Sequence, residues 1–239
     1  MNRQRFVQVS IGGLAGVHSP TLPLAAWGSL TGPFRQELTV DAGRLARSMR
    51  MLATFGANDA GGIDRVAFSD ANVEALDWIA RLLSDAGFST EIDLAGNLIA
   101  RKAGTDSSLL PLMFGSHIDS VPGGGNYDGQ VGSMSSVEVA ATFAAAGIVT
   151  RHPLEIAIFS NEEGGKTGSR ALAGEVEAFE LDIETASGLT IGEGLKRLGG
   201  DPDRLGDARR ERGSLAAFLE LHIEQGAVLD ADGFDIGIV

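Results

Sequence analysis

Cysteine is absent from all 239 residues. That excludes disulfides, thiol nucleophiles and cysteine-bound zinc, so any metal here must rely on His, Asp and Glu. Positive charge is scarce: 19 Lys and Arg face 32 acids, for a formal charge of −13. Such a balance argues against a nucleic-acid binder, which carries a basic patch, and against adhesion to an anionic membrane surface. No apolar run approaches the roughly 20 residues a membrane-crossing helix needs. Histidine is rare too, with four in the chain: His18, His117, His152 and His222. What is plentiful is hydrophobic sequence, at 44%. That is ample for the core of one large domain or two small ones.

The first 40 residues differ from the rest. Arg3 and Arg5 precede a mildly apolar Gly/Ala/Ser-rich run, with small residues at Ala25 and Ala26. A charged start, an apolar middle and small residues fit an export signal, and Arg-x-Arg-Phe-Val looks like a degenerate twin-arginine leader. The other reading of residues 1–40 is a disordered or loosely packed arm broken by Pro20, Pro23 and Pro33. The location is therefore cytoplasmic, or exported if residues 1–28 are a signal.

From residue 41 onward, helical and strand patterns alternate. Residues 41–55 and 69–87 carry apolar residues at helical spacing, the second with Ser69 or Asp70 as cap and Gly87 as terminator. Residues 89–104 read as two short strands around a turn at Ala95, Gly96 and Asn97. LLPLMFGSHID and PLEIAIFSNEEGG begin as buried strands and end polar, and SLAAFLELHIEQG does the same. GQVGSMSSVEVAATFAAAG between them is an Ala-rich helix ending at Gly147. Residues 182–213 are polar and read as helices and loops over the surface. The fold class is α/β, an open and largely parallel sheet with helices on both faces. Ligands of such sheets collect beyond the carboxyl ends of the strands, which is where the three polar clusters lie.

The first cluster is GSHIDSVPGGGNYDG, residues 115–129. His117 and Asp119 lie two apart, so on an extended segment their side chains share a side. A metal-bound imidazole commonly donates its other N–H to a carboxylate, a role Asp119 fits. A histidine paired with an acid for structure alone fits the same spacing. Asp128 follows a glycine-made reversal; it can bridge two cations or cap the helix that begins after it. The second cluster is Glu162–Glu163, adjacent carboxylates that repel unless something positive sits beside them. One could bind a metal while the other faces a water as general base, or both could lie in an exposed acidic loop. The third is HIEQG. His222 and Glu224 again share a side, and Gln225 offers a donor and an acceptor to an amide or carboxylate. His18 and His152 have no neighbouring carboxylates of this kind.

The order GSHIDSVPGGGNYDG, NEEGG, ELHIEQG resembles the hydantoinase/carbamoylase family of metal-dependent amidohydrolases. These are relatives of the co-catalytic-zinc aminopeptidases and carboxypeptidases, and the resemblance runs from about residue 41 to the end, including GGIDRVAFSDAN and DLAGNLIAR. It implies that residues 41–239 form the N-terminal portion of a zinc-aminopeptidase-like catalytic domain. It further implies His117 and His222 on one divalent ion, Asp128 bridging to a second, and Glu163 on that second ion. Glu162 would be the general base, Asp119 the support of His117, and Gln225 a substrate contact. The ions would be zinc, or manganese, cobalt or nickel. The implied substrate is a small molecule with a linear amide or carbamoyl bond, such as an N-carbamoyl amino acid or allantoate. Family members are longer, carry a lid and dimerisation domain, and place a last histidine ligand near their C-terminus. The expectation is that this chain lacks that lid and leaves the second metal site short of a ligand, while full-length relatives pair as homodimers. Gly165, Lys166 and Thr167 stand where relatives often show Ser-Arg-Phe. A dipeptidase or aminoacylase of the same clan and a non-catalytic metal-binding domain are the alternatives.

Overall fold

The structure is a computed structural model that describes residues 7–10, as backbone, and residues 38–239. The reading of residues 1–40 as leader or arm otherwise falls outside the described residues. Seven strands form one sheet: β1 (Val7–Ser10), β2 (Ser89–Ile92), β3 (Leu98–Lys102), β4 (Leu112–His117), β5 (Leu154–Phe159), β6 (Ala217–His222) and β7 (Ile236–Ile238). Their order is β2-β3-β5-β4-β6-β1-β7. β4 pairs in parallel with both β5 and β6 at the centre. β3 joins β5 antiparallel and β2 joins β3 antiparallel, the expected hairpin. The sheet is thus mixed, with parallel pairs at the centre and between β1 and β7 at one edge.

The helices are α1 (Ala42–Leu52), α2 (Asp70–Asp85), α3 (Gln130–Ala145), α4 (Thr167–Ala173), α5 (Ile191–Leu198) and α6 (Val228–Asp232). Ser69, not Asp70, caps α2 by accepting from the Asn72 N–H. Gly87 follows the helix with φ +82°, as its role as terminator requires. Helix α3 lies between the sheet and α1 and α2, so it is buried on nearly every side. That explains why its sequence is small and Ala-rich rather than amphipathic. Gly132 lets it approach β6, since a Cβ there would stand 2.2 Å from the Leu221 carbonyl.

Strand alternation divides the core. Leu98, Ala100, Ile156 and Ile158 point into the larger cluster with α2 and α3, while Ile99, Met113 and Ala157 form a small one. Residues 182–213 correct the expectation of a surface cover. Ile191, Leu195, Leu198 and Leu205 are buried in the larger cluster, so α5 is part of the core.

One polar group fixes α1 to α3. Glu138 accepts from the Arg44 Nε and Nη2, both at 2.7 Å, from the Asp41 N–H at 2.7 Å and from Thr142 Oγ1 at 3.0 Å. Burial alone would raise its pKa, but Arg44 and the Asp41 N–H outweigh burial and hold it below its ordinary value. A carboxylate depressed in the folded state stabilises above its unfolded pKa and loses that contribution as pH falls through the folded value. Glu138→Gln is therefore expected to cost about 2 kcal/mol at neutral pH. In urea unfolding the gap to wild type should narrow as pH falls through the depressed folded-state value of Glu138, where its carboxylate takes up a proton.

Candidate metal centre

Because β4, β5 and β6 run parallel, their carboxyl ends meet at one edge of the sheet. β4 ends at His117, β6 ends at His222, and β5 runs out into Ser160-Asn161-Glu162-Glu163. The loop after β4 returns through its glycines to Asp128 and then starts α3. The structure brings His117, Asp128 and His222 together, with one ligand atom from each within 4.8 Å of the others. The two imidazoles lie 6.0 Å apart at an interplanar angle of 27°. His222 Nε2 is 3.1 Å from Asp128 Oδ1 and His117 Nε2 is 3.8 Å from the same oxygen.

Each ring is turned by its other nitrogen. His117 Nδ1 lies 3.1 Å from the Asp119 carbonyl and 3.4 Å from its Oδ1. His222 Nδ1 lies 2.8 Å from the Ile223 carbonyl. Both contacts suit an Nδ1–H donor, which leaves both Nε2 lone pairs aimed at the space beside Asp128. Asp119, almost fully buried, also accepts the N–H of Glu162 at 3.3 Å and of Glu163 at 3.0 Å. It thus ties the first cluster to the second, a role beyond the support of His117 that the spacing suggests.

Glu162 Oε2 stands 3.7 Å from His117 Nε2. Glu163 lies on the wall of the same open cavity, of about 410 Å³, but outside the three-residue group. Gln225 donates its Nε2 to Asp128 Oδ2 and also lines the cavity. Two expectations need correction. Asp128 is not the cap of α3: that position is Gly129, with no side-chain cap, and the Asp128 carboxylate faces the imidazoles instead. Glu224 does not share the side of His222, because the strand ends at residue 222. Its Oε1 instead accepts the Val228 and Leu229 N–H groups at the start of α6.

Three side chains of the site escape the motif reading. Glu220 lines the cavity and accepts from Ser116 Oγ at 2.6 Å. Its signal was available, since it lies two residues before His222 on one strand face. Lys166 lines the rim 4.0 Å from Glu162 Oε1, with its backbone at φ +59°. Ser133 donates to the His117 carbonyl at 2.7 Å, and nothing in its spacing marks it.

The electrostatics describe a site short of positive charge. Burial disfavours a charged His117, yet the Asp119, Asp128 and Glu162 carboxylates around it outweigh that and push its imidazole up to about 10. Asp128 also raises His222. His117 and His222 in turn hold Asp128 far below the carboxylate range. Burial, then the charge of Asp128, raises Glu163. His117 Nε2 and Asp128 Oδ1 are buried with no hydrogen-bond partner. Buried polar atoms are costly when unpaired, and two nitrogens and an oxygen around one point form a donor set for a borderline divalent cation. The residues fit a metal ion.

Comparison with known proteins agrees. The model of peptidase family M20/M25/M40 matches residues 113–239. The chain is 41% identical over 201 residues to an N-carbamoyl-L-amino acid amidohydrolase of Geobacillus stearothermophilus, covering 82% of this chain and 49% of that protein. It is 33% identical to a ureidoglycolate hydrolase of Arabidopsis thaliana, covering 84% and 45%. A hydantoinase/carbamoylase family amidase from Burkholderia ambifaria superposes with a TM-score of 0.73 at 38% identity, over 82% of this chain and 48% of that one. The chain spans about half the length of the curated relatives it matches. From strand β4 to its last residue it carries the family's sequence pattern, on a sheet that gathers the three polar clusters at one edge. The chain belongs to peptidase family M20/M25/M40 and within it is similar to the hydantoinase/carbamoylase amidohydrolases.

Proposed function

We propose that this chain supplies the metal-holding part of a hydrolase acting on linear C–N bonds, with N-carbamoyl amino acids or ureides such as allantoate as substrates. The observation that carries the reading is the meeting of His117, Asp128 and His222 with Glu162 beside them. His117 and His222 would hold one divalent ion, and Asp128 has a second oxygen to offer another. Glu163, on the cavity wall, is the further donor toward that second ion. All donors are nitrogen or oxygen, which suits zinc, manganese, cobalt or nickel alike. Bound there, divalent ions polarise a carbonyl and acidify water.

The protein's own groups account for the rest. Glu162 takes the proton of the attacking water and passes it to the leaving nitrogen. For a carbamoyl substrate the products are the amine, ammonia and carbon dioxide. Asp119 keeps His117 in the tautomer that presents Nε2 and holds the backbone of Glu162 and Glu163. Gln225 reaches the cavity and can donate to a carbonyl or carboxylate.

The test is calorimetric titration with zinc and with manganese, followed by assay of N-carbamoyl amino acids and allantoate against acyl-amino acids and dipeptides. Hydrolysis confined to the last two would move the protein to the peptidase side of its family. Failure of both metals to bind, or undiminished binding in His117→Ala, would sink the metal reading. A pH series adds a sign. Both imidazoles favour their protons in the metal-free site and must lose them to bind, so affinity should rise with pH. Heats in buffers of different ionisation enthalpy should show protons released; affinity unchanged between about pH 6 and 8 would contradict the ligand set.

A further inference from the structure

The stretch GGIDRVAFSDAN contains Arg65, a fully buried arginine to which the proposed chemistry gives no part. Its Nε donates to the Ile118 carbonyl at 2.7 Å. Its Nη1 donates to the Leu52 and Phe55 carbonyls, each at 2.8 Å, where α1 runs out. Its own carbonyl accepts the Ser120 N–H at 3.0 Å, and Ser120 Oγ donates to the Ile63 carbonyl at 3.1 Å. The Gly123 N–H donates to Asp64 Oδ1 at 2.6 Å, and Ile63 bridges to Gly124. Residues 63–65 are thus laced along residues 118–124, the stretch between His117 and Asp128.

Ile118 is the peptide between the metal-ligand candidate His117 and its partner Asp119. Its carbonyl takes Arg65 on one side and Gln130 Nε2, at 3.5 Å, on the other. A buried guanidinium is costly, and burial pulls Arg65 down to about 10; the charge of Asp119 is what offsets this. A core arginine that merely closed the end of α1 would need neither the Ile118 carbonyl nor Asp119.

We infer that Arg65 is a positioning residue for the metal centre. By its grip on the Ile118 carbonyl it fixes the directions of the His117 ring and the Asp119 carboxylate on either side. Through Asp119 it also sets the Glu162–Glu163 backbone. The inference rests on the metal reading of the site. The charge of Arg65 by itself would disfavour a second cation nearby, so the support lies in the planar fork of donors. Lysine keeps the charge but lacks the fork.

The test uses cobalt(II) as probe, with affinity by competition against a chromogenic chelator and coordination geometry from the visible spectrum. Arg65→Lys is expected to weaken cobalt binding about tenfold and to alter the spectrum, the size of effect seen when an outer support of a ligand is lost. Arg65→Gln should weaken it at least as far. Arg44→Ala loosens α1 against α3 away from residues 118–120 and is the control; its affinity and spectrum should match wild type. Wild-type affinity and spectrum in a folded Lys or Gln variant would overturn the inference, as would tighter binding in Gln. So would failure of both variants to fold in saturating cobalt, which would make Arg65 a core residue alone. If wild type binds no cobalt, or His117→Ala binds as well as wild type, the metal reading itself fails. Loss in His117→Ala without loss in Arg65→Lys removes only the role of Arg65.

Discussion

On the proposed reading, Glu162→Gln is expected to abolish most turnover of an N-carbamoyl amino acid while leaving metal binding within a few-fold of wild type. The separation of the two readouts follows from where Glu162 sits. It is the carboxylate beside the three-residue group but not one of its members, with Oε2 3.7 Å from His117 Nε2 and the side chain open to the cavity. Gln keeps the shape and one acceptor and cannot take a proton. General acid–base groups contribute about 10²–10⁴-fold, so kcat should fall by that amount while KM stays nearly constant. Lys166 lies 4.0 Å from Glu162 Oε1 on the exposed rim, so its replacement by Met should cost far less than that. Retained turnover in Glu162→Gln would remove the base assignment; lost metal would make Glu162 a ligand instead. Asp119→Asn tests the division of labour from the other side. Asp119 serves His117 and the Glu162–Glu163 backbone at once, so metal affinity and turnover should fall together.

How much of this could be read from residues alone varies by element. Helix α2 declares itself by Leu76, Ile79 and Leu83 at helical spacing, because one face of it meets the core and the other meets water. Helix α3 carries no such stripe, since sheet and helices cover it from both sides. Helix α5 reads as a surface piece because its short apolar set, Ile191, Leu195 and Leu198, sits in a polar neighbourhood, yet all three side chains are buried. In the site, His117, Asp128 and His222 were legible because each follows a strand pattern or a glycine reversal, and parallel strands bring such ends together. The role of Glu224 was not, because two-residue alternation holds only while the strand continues, and β6 stops at His222. Arg65 shows a different limit. Its partners are carbonyls at residues 52, 55 and 118, and backbone acceptors leave no mark in a sequence.

Gly129→Ala should damage the metal centre directly, at the ligand atom itself. Two independent constraints meet at this residue. Its backbone has φ +70° and ψ −41°, a combination that L side chains rarely adopt. A Cβ built there would lie 2.3 Å from His117 Nε2 and 2.5 Å from its Cε1. That is the nitrogen whose lone pair faces Asp128, so the methyl group would enter the space beside the ligand atom itself. The ring cannot retreat freely. Its Nδ1 is tied to Asp119, its carbonyl is held by Ser133 Oγ, and it is almost fully buried. Either α3 shifts away from the sheet or the imidazole turns out of line, and both separate His117 from Asp128. Zinc affinity is expected to drop by about two orders of magnitude or more, beyond what loss of an outer support costs. The thermal unfolding temperature of the metal-free protein should fall as well, because the backbone strain and the clash with the buried ring both act on the fold. Zinc binding measured well below that unfolding temperature distinguishes a blocked ligand from a loosened fold. Near-wild-type zinc binding in Gly129→Ala would show that His117 Nε2 does not face the ion, and would displace His117 from the ligand set.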